Sequence, residues 1–213
     1  MSAKDMLGAV VRKIVELPAE MLGAILDLSE KLLSEAGHEW LAEFKKFLRK
    51  EQSWTGVVAE SILKLISGSE NLIIEKLDGQ KYIGRAKEVF KSYIDSDFNG
   101  WGLNEAGEAT GETSAQVYEL TADAIFAKMF TSLTGDLDKL CLSQNQIIRF
   151  CEKHPNWLRQ EGYATFFLFK MNGEYFVAYV RVLGDGLFVD VRRFARDRVW
   201  DAEYRHRLVV PQL

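Results

Sequence analysis

Apolar residues recur at the helical period through the first third of the chain. Met6, Leu7, Val10, Val11, Ile14 and Val15 draw one stripe. After Pro18, which suits a first helical turn, Met21, Leu22, Ile25, Leu28, Leu32 and Leu33 draw a second, and Gly37 is placed to end it. A third helix carries Trp40, Leu41, Phe44, Phe47 and Leu48 on one side, with Glu43, Lys45, Lys46, Arg49, Lys50 and Glu51 as its solvated remainder. Ser53 has the side chain of an N-cap for a fourth, which holds Val57, Val58, Ile62, Leu65 and Ile66 and stops at Ser67-Gly68-Ser69. Short connections make these helices antiparallel neighbours, so residues 1–68 are expected to form a helical bundle segment.

From Ser69 the period changes. Leu72-Ile73-Ile74 and Tyr82-Ile83 flank Asp78-Gly79, a dipeptide that favours a tight hairpin. A helix is expected from about Ala86 to Ile94, then a long ordered loop from Asp95 to Thr113 and a short strand over Gln116–Leu120. Thr121 caps a further helix that buries Ile125, Met129, Phe130 and Leu133 and ends at Gly135. Ser143 and Gln146 have the spacing of a capping box, Ile147, Ile148 and Cys151 supply that helix's apolar side, and Pro155 bounds it.

The last fifty residues alternate at period two. Tyr163–Met171, Glu174–Leu183, Leu187–Phe194 and Tyr204–Val210 are rich in Phe, Tyr and Val and are separated by turn residues, which predicts an antiparallel meander. Tyr175, Val177, Tyr179 and Arg181 share one face of the second strand, and Phe176, Ala178, Val180 and Val182 the other. In the third, Asp190 and Arg192 face away from Val189 and Val191, so one face is core and the other partly polar. The expected fold is therefore α+β: a helical segment over 1–68, then a mixed segment over 69–213 that ends in a helix and a four-stranded antiparallel sheet, the two together able to form one domain.

Composition excludes disorder and small disulfide scaffolds, because 47% of the 213 residues are hydrophobic and there are two cysteines. Cys141 and Cys151 form no C-x-x-C pair, and the N-terminus lacks the long apolar run of a signal peptide, so a cytoplasmic protein with reduced thiols is expected. The most apolar stretch, Leu17 to Leu33, is interrupted by Glu20, Asp27 and Glu30, which argues against a transmembrane segment. A net charge of −4 does not mark the whole chain as a nucleic-acid binder, but the charge is uneven. Residues 69–142 hold seven basic against thirteen acidic side chains, and residues 143–213 hold eleven against eight.

No G-x-S-x-G, Gly-Lys-Ser/Thr loop or complete dinucleotide glycine pattern occurs, and His38-Glu39 lacks the second histidine of a zinc-peptidase helix. His154 sits beside Pro155 and His206 between two arginines, so no catalytic or cofactor-binding residue is assigned. Cys151, on an apolar helix face, reads as core. The sharpest motif is Asp95-Ser96-Asp97-Phe98-Asn99-Gly100. Its oxygen side chains at positions 1, 3 and 5 and its glycine at 6 match the opening of an EF-hand loop, in which the Trp101 carbonyl would be the next ligand. Position 12 is Ala106, with Glu105 one place early, so the bidentate ligand is out of register and the competing reading is an Asx-rich turn. A second candidate is the set Arg181, Arg192, Arg193, Arg196, Arg198, Arg205 and Arg207 among aromatic strands, a pattern that stacks and neutralises single-stranded nucleic acid. Asp185, Asp190, Asp197, Asp201 and Glu203 are interleaved with those arginines, so ion pairing is the simpler explanation.

The stretch Trp40-Leu41 through Phe47-Leu48-Arg49-Lys50-Glu51 with Trp54, and the closing Trp200-Asp201-Ala202-Glu203-Tyr204-Arg205-His206-Arg207-Leu208-Val209-Val210-Pro211, resemble uncharacterised bacterial proteins from small genomes. The resemblance implies a bacterial cytosolic protein and carries no activity. Plentiful aromatic faces and absent catalytic signatures lead to the expectation of a non-catalytic protein-interaction or adaptor protein with an unknown protein partner and no cofactor. The alternatives are a calcium-binding protein using Asp95, Asp97, Asn99, Trp101 and Glu105, a single-stranded nucleic-acid binder using the C-terminal arginines, and a hydrolase with an unrecognised site.

Overall fold

The computed structural model describes residues 11, 13, 19–48, 61–68 and 70–213. The chain divides into two compact units, Met1–Val58 and Ala59–Leu213. In the first, α1 (Ala19–Leu33) and α2 (Gly37–Leu48) follow the two apolar stripes and pack against each other. The reversal between them is tight: a Cβ at Gly37 would stand 2.2 Å from the Leu32 carbonyl oxygen, so only glycine fits there. Of the helix expected at residues 6–15, Val11 and Lys13 are described, both helical; the rest of it, and residues 53–60 of the fourth, lie outside the described residues.

The second unit is built on one mixed sheet of eight strands: β1 (Leu63–Leu65), β2 (Leu72–Ile74), β3 (Tyr93–Ile94), β4 (Thr113–Leu120), β5 (Ala164–Met171), β6 (Glu174–Leu183), β7 (Gly186–Arg193) and β8 (Arg207–Pro211). Their order is β1-β4-β8-β5-β6-β7-β3, with β2 on the same side of β4 as β1. Between β1 and β2, Ser67 substitutes for a ladder residue: its Oγ accepts from Val117 N at 3.0 Å while Ile66 N donates to Val117 O at 2.9 Å. The β5–β8 and β3–β7 pairs are parallel and the others antiparallel.

Both faces of this sheet are covered. Phe167, Phe169, Ala178, Val180, Val189, Val191 and Val209 pack on one side under α5 (Gln144–Lys153) and the chain from Leu77 to Leu103. Phe166, Leu168, Val177, Leu208 and Val210 pack on the other under α4 (Phe126–Thr131), Leu140 and Trp200. The first six residues of β5 are all buried, so its unbroken apolar run marks a strand enclosed on both sides. The capping box is present at Ser143 and Gln146, and Met129 and Phe130 are buried as their spacing predicts, although α4 begins at Phe126 and Thr121 instead donates from Oγ1 to Ser61 O. A four-residue helix, α3 (Asp97–Gly100), interrupts the expected loop.

The fold class expected from the sequence is corrected on several points. In place of a helical bundle joined to a four-stranded sheet there is one eight-stranded sheet with few helices. Leu63-Lys64-Leu65, assigned to a fourth helix, is the edge strand β1, paired Leu63 with Leu120 and Leu65 with Tyr118; a short apolar run fits either period, and the ladder to β4 decides it. The Asp78-Gly79 turn forms, with Gln80 N on Asp78 Oδ1 at 3.0 Å, but β2 returns to β4 instead of closing a hairpin. Gly79 has φ +77, and a Cβ there would lie 2.2 Å from Glu108 O, so the glycine serves a close approach to a second chain segment. Residues 86–94 run through turns into β3, with Ala86 and Phe90 buried as a helix would also have buried them. The final strand does not extend a meander. Trp200 bridges to Ala124, a single turn covers Ala202–Tyr204, and the chain then inserts β8 between β4 and β5.

Candidate functional site

A cluster of coupled acidic and basic side chains meets where β3 leaves the sheet edge. Asp190 lies in the middle of β7, opposite Tyr179 of β6, and Asp95 directly follows β3. Period-two alternation turns Asp190 and Arg192 to the same face, and the parallel β3–β7 pairing brings Asp95 beside them. Arg192 holds both carboxylates. Its Nη2 donates to Asp190 Oδ2 at 2.6 Å, and its Nη1 donates to Asp190 Oδ1 and, at 3.1 Å, to Asp95 Oδ2. Tyr179 OH donates to Asp190 Oδ2, Val191 N to Asp190 Oδ1 at 2.7 Å, and Asp97 N to Asp95 Oδ1 at 3.0 Å.

Burial, and then the neighbouring Asp95, push the Asp190 carboxyl up to about 6, and burial with the Asp190 contact pushes the Tyr179 phenol up to about 12. Burial also opposes the charge of Asp95. The Asp190 carboxyl, two backbone N–H groups and Arg192 outweigh it and hold Asp95 below the usual carboxylate range. The two acids thus divide into one that ionises readily and one that keeps its proton longer. Next to them, Trp101, Arg192, Arg193, Ala195 and Arg196 line a cavity of about 310 Å³. A second cavity of about 290 Å³ shares Arg193 and Ala195 and is further lined by Glu174, Tyr175 and Phe194.

The residues of the expected calcium loop have other partners in the structure. Asp95 is turned to Arg192, Asn99 Oδ1 accepts from Asn104 Nδ2 at 3.1 Å, the Trp101 N–H bonds to Asp97 O at 2.9 Å, and Glu105 is exposed. No group of three or more His, Cys, Asp or Glu side chains placed to hold a metal ion occurs among the described residues. Of the arginines, Arg193 pairs with Glu174 at 2.5 Å, Arg207 Nη1 donates to the Asn156, Trp157 and Leu158 carbonyls, and Arg181 and Arg198 lie over Phe188 and Trp200. Arg196 and Arg205 are exposed.

The histidines are apart. His38 is exposed in α2, and His154 Nε2 donates to Ile73 O at 3.0 Å. His206 is buried among Phe166, Trp200 and Tyr204, its Nδ1 accepts from Ala164 N at 3.2 Å, and burial pulls its pKa down to about 4. Burial raises both thiols, Cys141 to about 12, so neither is a thiolate at neutral pH.

Asp190 and Tyr179 did not stand out in the sequence as a site. The available signal was a lone aspartate between Val189 and Val191 in an apolar strand, where an unpaired charge would be costly. No family model, curated protein or solved structure matches the chain.

Proposed function

We propose that the chain is a protein-interaction or adaptor protein that takes its partner on the outer face of the α1–α2 pair, and that the partner contributes an amphipathic helix with basic flanks. The observation that carries this reading is the exposure of large apolar side chains: Leu26 at 61%, Leu33 at 87%, Trp40 at 44% and Leu48 at 63%. They are not scattered. Leu22, Leu26 and Leu33 fall on one stripe of α1, distinct from the half-buried Ile25, Leu28 and Leu32, and Trp40, Leu41 and Leu48 fall on one stripe of α2. Lys31 Nζ stands 5.5 Å from the centre of the Trp40 ring and ties the two helices together. The segment 19–35 carries Glu20, Asp27, Glu30 and Glu35 against Lys31 alone, which supplies the charge complement to a basic partner. Covering each large apolar side chain is worth about 1.5–3 kcal/mol before the cost of association.

In this reading the protein works in the bacterial cytoplasm, in keeping with its two unpaired cysteines. No helix among the described residues is long and apolar enough to cross a membrane. The test places a photo-crosslinking side chain at Leu33, at Leu48 and, as a control, at Lys170 on the sheet unit. One defined protein joined at both helical positions and absent from the control supports the reading. Adducts that do not distinguish the three positions, or none at all, overturn it.

A further inference from the structure

We propose that the cavity between Trp101 and the Arg192–Arg196 segment binds a nucleoside phosphate, with the base on the Trp101–Arg193 shelf and the phosphate on Arg196. At about 310 Å³ it falls at the lower end of the volumes that hold small ligands. Its floor is aromatic: Trp101 stacks on Phe176 with ring centres 6.1 Å apart, and the Arg193 guanidinium lies 5.2 Å from the Trp101 ring and 5.7 Å from Phe176. Glu174 holds Arg193 in that position by its edge, and the side chain is still 54% exposed, so a planar base can lie against it. A guanidinium stacked over an aromatic ring offers its outer face to a base in a sequence-tolerant way.

The charge around the cavity is divided by role. Arg192 is spent on Asp95 and Asp190, and Arg193 is partly neutralised by Glu174. Arg196 is exposed and has no ion pair among the described residues, which leaves it to meet an anion. A second cavity of about 290 Å³ shares Arg193 and Ala195 with the first and adds Glu174, Tyr175 and Phe194 to its lining. An acidic peptide would satisfy Arg196 but would leave the stacking shelf unused.

The full chain is titrated with adenosine monophosphate by calorimetry and with a fluorescein-labelled oligothymidylate by anisotropy, with polyglutamate as competitor. Binding of the mononucleotide alone assigns a free nucleotide as ligand, and tighter binding of the oligonucleotide with a steep salt dependence assigns a single strand; each supports the proposal. Arg196→Glu, a surface change without a partner to lose, is expected to weaken binding about tenfold or more, whereas Arg205→Glu leaves it unchanged. Trp101→Leu weakens binding of base-bearing ligands without creating affinity for inorganic phosphate. The proposal is overturned if neither ligand binds, if Arg196→Glu leaves the affinity as it was, or if polyglutamate displaces the oligonucleotide at equal charge concentration.

Discussion

Asp190 and His206 move stability in opposite directions as pH changes. His206 is held neutral in the folded chain, its pKa pulled from the ordinary 6.5 down to about 4. Between those values the unfolded chain binds the extra proton, so stability falls as pH drops from 6.5 toward 4. Asp190 is the reverse. Its pKa is raised from 3.8 to about 6, so in that window the folded chain holds the extra proton and stability falls as pH rises. Each contribution is on the order of 2 kcal/mol and they largely offset between pH 4 and 6, while Asp95 adds a loss toward acid. Urea unfolding at pH 4.5 and pH 7 is therefore expected to differ little for the wild type. Asp190→Asn should unmask the acid loss, and His206→Gln, which keeps an acceptor for the Ala164 N–H, should shift the balance the other way, toward greater stability at pH 4.5. A pH dependence that is the same in all three chains contradicts this assignment.

At the scale of elements, α5 and β5 give the most direct checks. Ser143→Ala removes the acceptor for Gln146 N and half of the capping box, and is expected to cost about 1 kcal/mol in chemical denaturation. Phe166 and Phe167 are adjacent, both fully buried, and belong to opposite faces of the sheet. Phe166→Leu and Phe167→Leu should each cost roughly 1–2 kcal/mol, because each leaves a void in a separate core. A sheet with one solvated face would tolerate one of the two at almost no cost.

These same elements show what the sequence discloses and where it stops. The capping box, the β6 alternation and the α1 and α2 stripes are local patterns, and residues within a few positions of each other determine them. The place of β8 between β4 and β5 depends on partners distant in the chain, from Thr165 opposite Arg207 to Ala115 opposite Pro211. Its one local trace is the run Leu208-Val209-Val210, all fully buried, which reads as a strand enclosed on both faces. Leu63-Lys64-Leu65 fits a helix as well as a strand and only its ladder to β4 separates the two, while the burial of Ala86 and Phe90 fits a helix as well as the turns that lead into β3. At the candidate site the sequence named Asp95 and Trp101 for a cation, but not the arginine 97 residues away that takes the Asp95 carboxylate.

In the whole molecule the two compact units treat their apolar residues differently. The sheet unit buries a core on each face and exposes scattered apolar side chains such as Leu65 and Val199, whereas the described helices expose Leu22, Leu26, Leu33, Trp40, Leu41 and Leu48 along two stripes. The measurement that tests this asymmetry most directly is quantitative affinity capture by the full chain and by its Leu33→Lys/Leu48→Lys variant, with a thermal melt of each. A protein retained in stoichiometric amount by the wild type is expected to be lost from the double variant, while the melt of the sheet unit stays within about 2 °C. Equal retention by both chains, or a melt that collapses in the variant, would contradict it, because the two leucines would then serve the fold and not a partner.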